Sequence, residues 1–125
     1  MREIDLPTVQ KLLNSNELEL TSTQKALCLP ILRRIYKKMK LGIQFNGVKV
    51  KNSRIVDGHH RYICAQLAGV QIEYVEWEIA KGTTDHEWPK MCIVEEDYED
   101  ADQIKEHHKR DAAINGVDES IFKDL

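Results

Sequence analysis

Three side chains able to hold or move charge stand in a row at His59-His60-Arg61, directly after Asp57-Gly58. Their neighbours say how they would be presented. Ile55 and Val56 read as the end of a strand. Gly58 lets the backbone turn sharply at no steric cost, and Asp57 is placed to cap the next helix. His59 to Ala68 has helical spacing, with Ile63, Leu67 and Cys64 facing inward and Gly69 as the stop. A strand, a tight turn and a helix then set two imidazoles and a guanidinium at a helix N-terminus. Open N–H groups, the helix dipole and cationic side chains are what a phosphate needs. Arg61 suits bidentate contact with a phosphate, the alternative being an ion pair with Asp57. His60 can donate to phosphate or act as acid or base near neutral pH, or else be a satisfied structural histidine. Asp57 can cap the helix, orient a histidine or help hold a nucleotide-bound metal, and capping is the most direct of these roles.

The run Asp57-Gly58-His59-His60-Arg61-Tyr62, with its preceding strand, the helix ending at Gly69 and a strand expected over Val70 to Val75, resembles the signature of the ParB/sulfiredoxin-like superfamily. That group holds the N-terminal domains of partition proteins, sulfiredoxins, free-serine kinases and ParB-like nuclease or toxin domains. The resemblance covers Arg54 to Val75 well and the upstream half loosely. It implies an α+β fold, a small mixed sheet flanked by helices. It also implies a nucleotide, ATP or ADP with Mg2+, held by Gly58, His59, His60 and Arg61, the last matching the family arginine that contacts phosphates. His59 falls where a sulfiredoxin carries its catalytic cysteine, so sulfinic-acid reduction is not expected. The CTP-hydrolysing partition proteins have two adjacent arginines where this chain has His60-Arg61. Free-serine kinases place a glutamate base in the N-terminal part of the fold, where Glu17 and Glu19 are available, with Glu3 a weaker option. The candidate catalytic set is thus Asp57, His60, Glu17 and Glu19, and no protein-held metal is expected.

The elements that must position this set are read in chain order. A short strand is expected over Arg2 to Leu6, then a small helix from Pro7 through Leu13, then a turn at Asn14-Ser15-Asn16. A helix is expected to begin near Ser22 or Thr23 and run to Gly42. Pro30 requires that it kink there, or that one helix end and another start. Ile43-Gln44-Phe45 and Val48-Lys49-Val50 flank Asn46-Gly47, a favourable two-residue hairpin turn. One long strand is expected over Val70 to Ile79, a loop over Lys81 to Lys90, and a short strand or first helical turn at Met91 to Val94. A last helix over Ala101 to Ala113, capped at Asp100 or Asp102, and a tail docked by Ile121, Phe122 and Leu125 complete a helical extension from about residue 98 to 125.

At 125 residues and 14.5 kDa the chain is expected to form one domain, 1–125. No run reaches the length of a membrane span, and Met1 to Asp5 lacks a signal peptide's apolar core. Three cysteines at 28, 64 and 92 form no CxxC pair, so reduced thiols and a cytoplasmic location are expected. The net charge of -3 hides a strong asymmetry. Lys25 to Arg54 holds nine basic residues and no acidic one, whereas Glu73 to Glu106 holds twelve acidic and three basic. Arg33, Arg34, Lys37, Lys38 and Lys40 either form a solvated helix face or contact nucleic acid. The acidic 73–106 segment would repel nucleic acid or attract a basic protein. His107-His108 lie about 100° apart on a helix and do not make the i,i+4 metal pair. Three functions stay open. The first is a nucleotide-using phosphotransferase or hydrolase; the second, a ParB-like nuclease or toxin domain; the third, a non-catalytic binding or immunity-type protein.

Overall fold

Pro30 decides how the first half folds. A proline is tolerated in the first turn of a helix, where its missing N–H has no intrahelical partner. In the computed structural model, which describes residues 3–125, helix α2 accordingly begins at Leu29 and runs Leu29–Lys40. Nothing helical directly precedes it. Ala26–Cys28 form strand β1, and the hydroxyls expected to cap a helix fix turns instead: Ser22 Oγ donates to the Gln24 carbonyl and Thr23 Oγ1 to that of Ile55. Helix α1 spans Leu6–Leu13, its start held by Asp5, whose carboxylate accepts the Thr8 N–H at 3.0 Å. The strand expected over residues 2–6 is absent from residues 3–5, and Arg2 lies outside the described residues.

The hairpin lies one strand later than Asn46-Gly47 suggested. Strand β2 (Val48–Lys51) runs antiparallel to β3 (Arg54–Asp57), and the turn is Asn52-Ser53, with φ of +50° and +63°. Two left-handed residues in a two-residue turn match the right-handed twist of the flanking strands. Gly47 has a different task. A Cβ there would stand 2.8 Å from Val75 Cγ2 and 2.9 Å from the Glu73 carbonyl, so glycine permits the close approach of residues 73–75. These residues lead into strand β4 (Tyr74–Glu76), which pairs parallel to β2 at the far edge of a mixed sheet ordered β3-β2-β4. The long strand expected over 70–79 is cut to three residues. Val70 N–H still bonds back to the Ala65 carbonyl, and beyond the Trp77 N–H to Val50 carbonyl bond no strand of the sheet continues. Strand β5 (Cys92–Val94) pairs parallel with β1 as a separate two-stranded unit.

Helix α3 (His59–Ala68) packs on α2 over a core of Val9, Leu27, Leu32, Val48, Ile55, Tyr62, Ile63 and Cys64, all fully buried. Tyr62 is satisfied there by accepting the Leu20 N–H at 3.1 Å. Helix α4 (Ala101–Asn115) starts with a capping box between Asp100 and Gln103 and ends at a left-handed Gly116. The chain then plants Phe122 beside Ile43 and Ala112 in a second, smaller cluster, with Leu125 packed against it and Ile121 left exposed. The architecture is α+β. Among the described residues no helix is long and apolar enough to cross a membrane.

Candidate functional site

Gly58 caps α3 with a φ of +106°, and no side chain bonds the open N–H groups of the first turn. Asp57 is not the cap. Its carboxylate is largely exposed and approaches Arg61 Nη2 only to 3.7 Å. Arg61 folds back over the turn: a Cβ on residue 58 would meet its Nη2 at 2.8 Å, so glycine serves both the backbone angle and the arginine's position. Arg61 Nη2 donates to the Gly47 carbonyl at 3.2 Å, while its buried Nε has no hydrogen-bond partner among the described residues.

The two histidines point the other way. His59 Nε2 accepts the Thr23 N–H at 3.0 Å, and His60 Nε2 accepts the Cys28 N–H at 2.9 Å. An acceptor nitrogen carries no proton, so each ring is the neutral tautomer protonated on Nδ1. Burial pushes both pKa values down to about 4. For His59 the neighbouring His60 adds to this, and for His60 the Glu99 carboxylate opposes it. Both rings tie the helix start to the segment leading into β1. The expectation that they join Arg61 as a cationic cradle is corrected by these bonds: Asp57 and Arg61 line the adjoining cleft, and neither histidine does.

That cleft, about 510 Å³, lies between α2, α4, residues 44–49 and the start of α3. Ile31, Ile35, Phe45 and Ile104 make its apolar wall, and Arg34, Lys38, Lys49, Arg61 and Arg110 its cations. Two of these cations are closely held by carboxylates. Arg34 bonds Asp97 at 2.5 Å and Glu99 at 2.8 Å, and Lys38 bonds Asp111 at 2.7 Å. Arg110 donates to His107 Nδ1 at 2.6 Å, and His107 Nε2 in turn lies 2.7 Å from Glu99. Lys49 lies 4.2 Å over the Trp77 ring. Lys49 and Arg110 have no carboxylate within 4 Å among the described residues, and Arg61 has only the loose Asp57 pair. These three are the cations able to meet an anion from outside.

Glu17 and Glu19 are exposed and line no part of this cleft. Glu19 lies instead near Tyr74, whose hydroxyl pKa is raised by burial, then by Tyr62 and Glu19. The basic face of α2 is turned to internal use: Arg33 and Lys37 reach Glu3, Arg34 and Lys38 hold Asp97, Glu99 and Asp111, and Lys40 lies over the Tyr36 ring. Among the described residues no group of three His, Cys, Asp or Glu side chains is arranged to hold a metal ion. Sequence reasoning missed Gly47, Lys49 and Arg110. The first was readable only as a turn residue, and the two cations belong to elements far from the motif in sequence. No protein-family model, curated protein or solved structure matches the chain.

Proposed function

We propose that the chain binds the phosphate groups of a nucleotide, ATP or ADP, in the cleft at the start of α3. The reading is carried by Arg61, a cleft-lining guanidinium beside a helix start that no described side chain caps, with a loose carboxylate partner and an Nε without a hydrogen-bond partner among the described residues. Lys49 and Arg110 add positive charge to the same cleft, and its apolar wall offers a surface to a base. Mg2+ would enter with the nucleotide, taking phosphate oxygens and water as most of its ligands, and Asp57, the cleft-lining carboxylate without a close cation, would be the residue to add to them. Binding is favoured over phosphoryl transfer. His60 is held neutral against the Cys28 N–H, and neither Glu17 nor Glu19 lines the cleft to serve as base. Calorimetric titration of ATP, ADP and CTP, with and without Mg2+, tests the reading. Micromolar binding that disappears in Arg61→Ala supports it, and absence of binding to every nucleotide overturns it.

A further inference from the structure

We infer that the outer edge of β4 is a docking site for an extended, basic segment of another protein. The hydrogen-bond parity of the strand carries the first part of the argument. Val48 N–H bonds the Glu73 carbonyl and Trp77 N–H bonds the Val50 carbonyl, so the odd-numbered residues of this stretch turn their backbone groups toward β2. The N–H and carbonyl groups of Tyr74 and Glu76 therefore point outward, and β4 ends the sheet on that side. Natural edges are blunted by short length, charge, proline or a covering element; β4 is short and carries glutamates, but the outward backbone groups of Tyr74 and Glu76 make no backbone hydrogen bond among the described residues. Here Tyr74, Val75 and Trp77 are 45%, 38% and 50% exposed, and the stretch contains no proline. An unpaired edge with exposed apolar side chains on both faces suits strand addition, in which backbone bonds hold the guest and side chains select it.

Charge selects the guest. Residues 73–78 read Glu-Tyr-Val-Glu-Trp-Glu. Glu76 reaches Lys51 at 3.2 Å with its side chain 81% exposed, and Glu73 and Glu78 have no ion-pair partner among the described residues. A second copy of the same edge would bring three glutamates against three, a repulsive pairing. Side chains alternate along the strand, so Val75 and Trp77 lie on one face and Tyr74, Glu76 and Glu78 on the other; a guest strand that alternates apolar and cationic residues sets its apolar side chains beside Val75 and Trp77 and its cations beside Glu76 and Glu78.

The test uses a synthetic peptide of alternating lysine and valine, with a glutamate–valine peptide as control, followed by amide hydrogen exchange in the intact chain. The lysine peptide is expected to slow exchange at the Tyr74 and Glu76 N–H at least tenfold, and the acidic peptide to leave it unchanged. Glu76→Pro removes one outward N–H and no backbone bond to β2, along with the exposed side-chain pair to Lys51, and is expected to weaken peptide binding at least tenfold. The double charge reversal Glu76→Lys, Glu78→Lys, at exposed positions, should weaken it comparably and serves if the proline variant does not fold. Unprotected amides, equal binding by the double reversal, or protection that arises from self-association of the chain alone would each overturn the inference.

Discussion

At the scale of single residues, the histidines and the arginine of one motif do opposite work. His59 and His60 accept backbone N–H groups that would otherwise be buried without partners, and burial holds their pKa values near 4. The consequence for stability has a definite sign. An unfolded histidine titrates near 6.5, so between that value and about 4 the unfolded chain binds more protons than the folded one. The stabilisation is fully present above pH 6.5 and is lost as pH falls toward 4, at a cost on the order of 3 kcal/mol per imidazole. Denaturant unfolding of the wild type should therefore show a lower midpoint at pH 5 than at pH 7. His60→Gln, which keeps an acceptor but does not titrate, should show a smaller drop; an equal drop would contradict the assignment. The sequence placed these side chains at a helix start correctly, because Gly58 and the periodicity after it are local signals. It could not say where the rings point, since Thr23 and Cys28, which receive them, lie more than thirty residues away.

Elements were legible where their signals were local and misread where tertiary pairing chose between local options. Helix α4 follows its cap, helix α3 its periodicity and its glycine stop though not the expected Asp57 cap, and strand β3 its apolar pair. The hairpin does not. Asn46-Gly47 has the stronger turn chemistry, yet Asn52-Ser53 makes the turn, because pairing Val48–Lys51 with Arg54–Asp57 buries Val48 and Ile55 together. The price is a serine at a φ of +63°. Ser53→Gly should relieve it and raise stability by about 1 kcal/mol, read as a higher denaturation midpoint at unchanged slope. A destabilised variant would show that Ser53 makes a contribution beyond its backbone angle. Pro30 likewise allowed two readings, and the helix beginning beside it is the one that frees Ala26–Cys28 to pair with β5.

Across the whole molecule, part of the charge asymmetry of the sequence is used inside the fold. The basic stretch of α2 and the acidic second half meet through Arg34 with Asp97 and Glu99, and through Lys38 with Asp111. Composition alone suggests two surfaces seeking outside partners; the fold joins some of their charges to each other. These pairs differ in weight. Lys38 is 3% exposed and also lies over the Phe122 ring, whereas Arg33 and Glu3 form a long, solvated pair. Asp111→Ala strands a buried ammonium and should cost about 3–5 kcal/mol, while Glu3→Ala should cost less than about 1 kcal/mol. Comparable losses by chemical denaturation would contradict this account of how the halves are held. Within the cleft, with Arg34 and Lys38 committed, Lys49, Arg61 and Arg110 are left to receive a ligand, and Arg61 is the one that also adjoins a helix start.

That assignment is tested most directly by nucleotide calorimetry on a set of variants rather than on one. Wild type, Arg61→Ala, Lys49→Ala and the double variant Glu17→Gln, Glu19→Gln would each be titrated with ATP and ADP in the presence of Mg2+. The account predicts binding that falls at least tenfold in Arg61→Ala, falls less in Lys49→Ala, and is unchanged when both glutamates are replaced. Binding untouched by loss of the arginine, or abolished by loss of the glutamates, would contradict it.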